Sequence, residues 1–212
     1  MAKYYLFSGI DKKLGFTKKQ ATYLKKDLHN NLVITFITSS FDNYQINDDY
    51  YNNMLNFFSN IKVKIKTSYL VDGRMTPKEA ISHINESDAI FIMGGYPGEE
   101  MQNITKYKLA ASLKKHQGII MGVSAGSINM NKNICYIDKD NKVTEYKGIG
   151  LTDFNIAPHL DLNNNAYMEE IYTVSKIRKT IGLLNDSFII VDNKNIEIIG
   201  EYHYFDNGVM QD

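Results

Sequence analysis

The sequence predicts an α/β fold of three layers: a mostly parallel sheet with helices on both faces, and antiparallel strands near the C-terminus. Three observations point to it. Short apolar, β-branched runs at 31–38, 63–71 and 89–93, and another from 119, alternate with stretches of helical spacing, the mark of parallel strands joined by right-handed βαβ crossovers. Two of these runs end in glycine-rich turns, Gly94-Gly95 and Gly122-Val123-Ser124-Ala125-Gly126. After Met130 the pattern turns polar, and 187–204 reads as two strands meeting at Asp192-Asn193-Lys194-Asn195, which suits an antiparallel sheet edge.

The elements follow in order. Residues 4–8 form a short aromatic strand ending at Gly9. In the helix expected over 17–30, Phe16, Ala21, Leu24 and Leu28 recur at helical spacing behind a Thr17 cap. The run 31–38 is the clearest β-branched stretch and reads as a buried central strand. A polar loop at 39–43 leads to a helix over 48–58, then to a third strand over 63–71. Pro77 stands in the first turn of a helix over 76–84, where proline fits best. The fourth strand, 89–93, closes in Gly94-Gly95-Tyr96-Pro97-Gly98. One helix is expected over 99–116, with Leu109, Ala111 and Leu113 inward and Gly118 as its stop. No repeat or linker interrupts the chain, and 1–212 reads as one domain.

Composition narrows the function classes. A content of 43% hydrophobic and 23% charged residues over 212 positions supports a real core. Lys+Arg and Asp+Glu balance at 24 each, so there is no footprint for nucleic acid or an anionic membrane. The lone Cys135 gives no disulfide framework and no cysteine metal cluster. Neither a signal peptide nor a membrane span is legible, so a cytoplasmic setting is expected.

The chemistry begins at Ser124. A G-x-S-x-G run between an apolar strand and a helix-compatible segment is the nucleophile-elbow pattern in its proper context. Its glycines allow a sharp turn that lifts the Ser124 hydroxyl, and the Ala125 N–H then faces a developing negative charge. Gly94-Gly95 ends the preceding strand at the same edge of a parallel sheet, so a second N–H there completes a two-donor oxyanion hole. A plain glycine-rich loop accounts for either motif alone.

A serine nucleophile needs a base. His29 and His116 fall at helix ends in polar surroundings and read as solvated. His83 lies within a helix and His203 in the edge-like tail. His159 follows Asp153-Phe154-Asn155-Ile156-Ala157-Pro158, a short strand stopped by proline, and so begins a loop that reaches the crevice.

These pieces, with Ile92-Met93-Gly94-Gly95 and Gly150-Leu151, resemble the peptidase E family of aspartyl dipeptidase-like serine peptidases. That family shares the class I glutamine amidotransferase-like fold and the order Ser…His. The resemblance implies Ser124 as nucleophile, His159 as general base, and Ala125 with Gly95 and Tyr96 as oxyanion donors. It places the third member at Asn185, where the family has an acid, with Asp186 beside it and Asp161 as a further candidate. It implies hydrolysis of a small peptide or related amide through an acyl-enzyme, with no metal or organic cofactor, and leaves room for a homodimer. An aspartyl pocket requires a cation, and Arg74 and Arg178, the arginines available, both read as surface residues. Glutamine amidotransfer is disfavoured because Cys135 lies well past the elbow. Two alternatives stay open: a non-peptidic substrate, and a non-catalytic binding protein of the same fold.

Overall fold

The computed structural model describes residues 2–193 and 195–211. Among them, five parallel strands lie side by side in a seven-stranded sheet: β1 (Lys3–Phe7), β2 (Leu32–Ile37), β3 (Ile65–Val71), β4 (Ala89–Ile92) and β5 (Ile119–Val123). Two antiparallel strands, β10 (Phe188–Asp192) and β11 (Asn195–Ile199), extend the edge beside β1, giving the order β11-β10-β1-β5-β4-β2-β3. The turn expected between the last two includes Lys194, which lies outside the described residues. A smaller sheet of β8 (Asn155–Ala157), β9 (Thr180–Leu183), β12 (Tyr202–Asp206) and β13 (Val209–Gln211) follows the order β13-β12-β9-β8.

Alternation along the strands sends side chains to two cores. Tyr5, Phe7, Phe36 and Phe91 meet Leu24 of α1 (Lys18–Asp27) and Met54, Phe57 and Phe58 of α2 (Tyr44–Asn60). Leu6, Ile37, Ile90 and Ile120 meet the helices of the other face: α3 (Pro77–Glu86), α4 (Pro97–Lys106), α5 (Ala110–Lys115) and α6 (Ala125–Asn129). The three-layer architecture is therefore as expected. Thr17 and Thr76 each close a capping box, with Gln20 and Glu79 respectively.

Local expectations fail at identifiable points. The helix expected over 99–116 is two helices, because Lys108 takes a left-handed backbone (φ 58°) between α4 and α5. Leu109 and Leu113, four residues apart on one helical face, are buried, while Ala111 between them falls on the opposite face and is exposed. The run 31–38 becomes β2, which is buried but stands next to the edge strand β3 rather than at the centre. The polar stretch past Tyr136 contains a hairpin, β6 (Asn133–Ile137) with β7 (Val143–Lys147). Asp138 folds its turn by accepting the N–H groups of Asp140 and Lys142. The helix α7 (Asn165–Ser175), capped by Asn164, was not anticipated.

Helices α4 and α6 meet through a fully buried carboxyl. Glu100 Oε2 accepts from Asn129 Nδ2 at 2.7 Å, and Oε1 has no partner among the described residues. Burial outweighs the Asn129 bond and pushes the carboxyl up to about 8. Between the ordinary value of 4.5 and that level, the folded protein holds a proton the unfolded chain has lost. Stability therefore falls as pH rises through this window. Glu100→Gln cannot titrate and still offers Asn129 an oxygen. Thermal melts should show its Tm declining less than the native protein's from pH 5 to pH 8, and lying above it by about 2–4 °C at pH 8. Parallel declines would assign the pH dependence to another group.

Candidate active site

The carboxyl ends of β1, β2, β4 and β5 open onto one cavity of about 660 Å³, and both Ser124 and His159 line it. Ser124 sits between β5 and α6 with φ 52° and ψ −111°, a conformation that L-residues seldom adopt. The elbow's positive φ thus falls on the serine and not on its glycines. Those glycines are required by close approach instead. A Cβ on Gly126 would stand 2.3 Å from the Ile92 carbonyl oxygen, and one on Gly122 would stand 2.7 Å from the backbone of the following turn. The elbow is tied to β1, where the Phe7 carbonyl accepts both the Ser124 N–H (3.0 Å) and the Ser127 hydroxyl (2.8 Å).

His159 follows β8 and is likewise left-handed, at φ 59°. Its backbone N–H donates to the buried Ser8 Oγ at 2.7 Å, and that hydroxyl donates onward to the Leu183 carbonyl at 2.9 Å. The end of β1 therefore fixes the histidine's main chain against β9. Its ring spans the gap: Nε2 lies 2.9 Å from Ser124 Oγ, and Nδ1 lies 2.6 Å from Asn185 Oδ1. A carbonyl oxygen at Nδ1 requires the proton there, which leaves the Nε2 lone pair for the serine hydroxyl. Gly9 allows this approach, since a Cβ there would stand 3.2 Å from both His159 Cε1 and Asn185 Oδ1.

The structure thus brings Ser124, His159 and Asn185 together. It does not bring the other third-member candidates. Asp161 is exposed, and its Oδ1 accepts the Asn163 N–H at 3.0 Å. Asp186 is exposed beside Asn185. Of the expected oxyanion donors, Tyr96 is corrected. Its N–H donates to Ser39 Oγ at 3.0 Å and is not offered to the cavity. Ser39 approaches so closely that a Cβ on Gly95 would meet its Oγ at 2.3 Å. The Gly95 N–H has no acceptor among the described residues, and the Ala125 N–H opens α6, where no intrahelical acceptor exists.

Ser39 and Ser8 are the residues that sequence reasoning missed. Both are buried hydroxyls just past strand ends, and only their position after β1 and β2 marks them. Among the other histidines, His29 is exposed with Nε2 3.6 Å from Asp88. His83 stacks on Tyr69, with ring centroids 3.8 Å apart. His116 is buried rather than solvated, and that burial lowers its affinity for a proton. Cys135 is buried away from the elbow, and burial raises its thiol to about 11, which leaves no thiolate at neutral pH. Among the described residues, no group of histidine, cysteine and carboxylate side chains is placed to hold a metal. Among the described residues, no helix is long and apolar enough to cross a membrane.

Comparison with known proteins agrees with this fold. Two solved structures share the fold. One is a candidate peptidase E protein from Listeria monocytogenes EGD-e, with a TM-score of 0.70 at 17% identity, covering 94% of this chain and 98% of that one. The other is a peptidase from an acI-B1 actinobacterium, with a TM-score of 0.71 at 12% identity, covering 100% of this chain and 93% of that one. Comparison with the curated proteins finds no match. The family model described as peptidase family S51 matches residues 8–199, nearly the whole length, including the elbow, His159 and Asn185. The chain belongs to peptidase family S51.

Proposed function

We propose that the protein is a serine-type peptidase that hydrolyses a small peptide through an acyl-enzyme, with Ser124, His159 and Asn185 as its working residues. The observation that carries this is the 2.9 Å contact between Ser124 Oγ and His159 Nε2, made by two residues that both hold left-handed backbone to reach it.

In the first step Oγ bonds to the substrate carbonyl carbon while its proton passes to Nε2. The carbonyl oxygen gathers the negative charge, and the N–H groups of Ala125 and Gly95 stabilise it. The C–N bond then breaks, His159 returns the proton to the departing amine, and an ester remains on Ser124. Water attacks that ester, giving one proton to Nε2. The C–Oγ bond breaks, and Oγ recovers the proton as the acid leaves. Asn185 keeps the ring in the required tautomer throughout but supplies no full negative charge. That shortfall favours a second reading, in which the same crevice binds a small ligand without turnover.

A fluorophosphonate separates the two. Mass spectrometry is expected to find one adduct on Ser124 in the native protein and none in Ser124→Ala. Undiminished labelling of Ser124→Ala, or none in the native protein at high reagent concentration, would sink the proposal.

A further inference from the structure

The cavity beside Ser124 has a definite chemistry. One wall is a single face of α2, where Ile46, Tyr50, Met54 and Phe57 recur at helical spacing. Phe91 and Met93 of the β4 segment form the floor. Ile46 and Tyr50 at the mouth are 49% and 44% exposed, large apolar surface left facing the cavity rather than a neighbouring element. The charged groups lining it, among the described residues, are Lys12, Asp49 and Glu99, one cation against two acids.

No guanidinium reaches it. Arg74 lies on the far side of Asn47, engaged by Asp48 (2.6 Å) and by the fully buried Asp72 (2.7 Å), with Asp72 also accepting from Asn47 Nδ2. Arg178 precedes β9 in the smaller sheet and does not line the cavity. A substrate carboxylate entering here would therefore exchange its water for a lining whose one cation among the described residues, Lys12, is set against Asp49 and Glu99, a net cost.

The orientation of the substrate follows from the reaction. The leaving amine must face His159, which protonates it, while the carbonyl oxygen faces Gly95 and Ala125. The acyl residue then has before it the cavity that Gly94, Gly95, Ser124 and His159 share with the α2 wall. We infer that this site selects, on the amino side of the bond it cuts, a residue with a large uncharged apolar side chain such as Phe or Leu, and rejects aspartate. The inference rests on Ser124 and His159 acting as proposed above.

Matched diphenyl phosphonates carrying the Phe, Leu and Asp side chains test both layers together, since each must occupy the cavity to react. The Phe and Leu reagents are expected to inactivate the native protein about tenfold faster or more than the Asp reagent, the usual discrimination of an apolar pocket. Tyr50→Ala, at an exposed position, should slow the Phe reagent several-fold. Asn53→Arg, which sets a guanidinium on the same wall, should narrow the gap by speeding the Asp reagent. Faster reaction with the Asp reagent, or equal rates for all three, overturns the specificity and leaves the nucleophile standing. Labelling that survives in Ser124→Ala overturns the reading beneath it.

Discussion

His159→Ala is expected to lower kcat/KM by about 10³-fold or more while the protein melts within a few degrees of native. The asymmetry follows from the position. The side chain is exposed and contributes little to the core. Alanine at φ 59° carries the same backbone strain, and the N–H bond to Ser8 Oγ survives because it belongs to the main chain. What disappears is the acceptor for the Ser124 proton. Ser124→Ala should cost a similar factor, and the double variant should be no worse than either single one, because the pair acts as a unit. Turnover and melting measured on the same preparations check this. A near-native rate in His159→Ala would make the residue a loop element only.

Asn185→Asp is expected to move the acid limb of kcat/KM against pH upward. A carboxylate 2.6 Å from Nδ1, where Asn185 Oδ1 now stands, favours the imidazolium, and the base works only when neutral. The same charge stabilises the imidazolium formed in the transition state, so the plateau rate at high pH should rise. Asn185→Ala removes the tautomer control and should cost roughly 10²–10⁴-fold, as loss of a histidine's partner does elsewhere. Alanine at Asp161 or Asp186 should leave both rate and limb in place, since neither touches the ring. An unmoved limb in Asn185→Asp would show that the contact with Nδ1 has no part in turnover.

The sequence made the parallel sheet legible because buried strands such as 89–93 are continuous apolar runs and the intervening helices keep their period. It was weaker where structure depends on single residues. Nothing in 99–116 announces that Lys108 turns left-handed, because lysine has no preference for that conformation and the turn is held by packing of Leu109 and Leu113. The β6–β7 hairpin was hidden because β7 is half-polar and exposed at alternate residues, which leaves β6 without a legible partner.

At the site, Ser124 and His159 stood out through glycine and proline punctuation, and the family pattern supplied Asn185. The Tyr96 N–H was misread because a backbone donor's direction is not written in its own residue. It is set by Ser39, 57 positions earlier. Ser8 was unreadable for the same reason: its partners lie at His159 and Leu183, remote in sequence.

The left-handed serine has a consequence for how durability and activity trade against each other in this chain. A φ of 52° with ψ of −111° is a conformation glycine reaches at little cost, whereas a side-chain-bearing residue there costs of order 1–3 kcal/mol. Ser124→Gly should therefore refold to a protein that resists heat better than the native one, by about 2–4 °C for each kcal/mol recovered, and hydrolyses nothing. Selection for thermal resistance alone would drift toward glycine at the one position the chemistry needs. A serine that persists there against that drift is being kept for its hydroxyl, and a melting curve that rises as the hydroxyl is removed would measure how much folding free energy the reaction holds back.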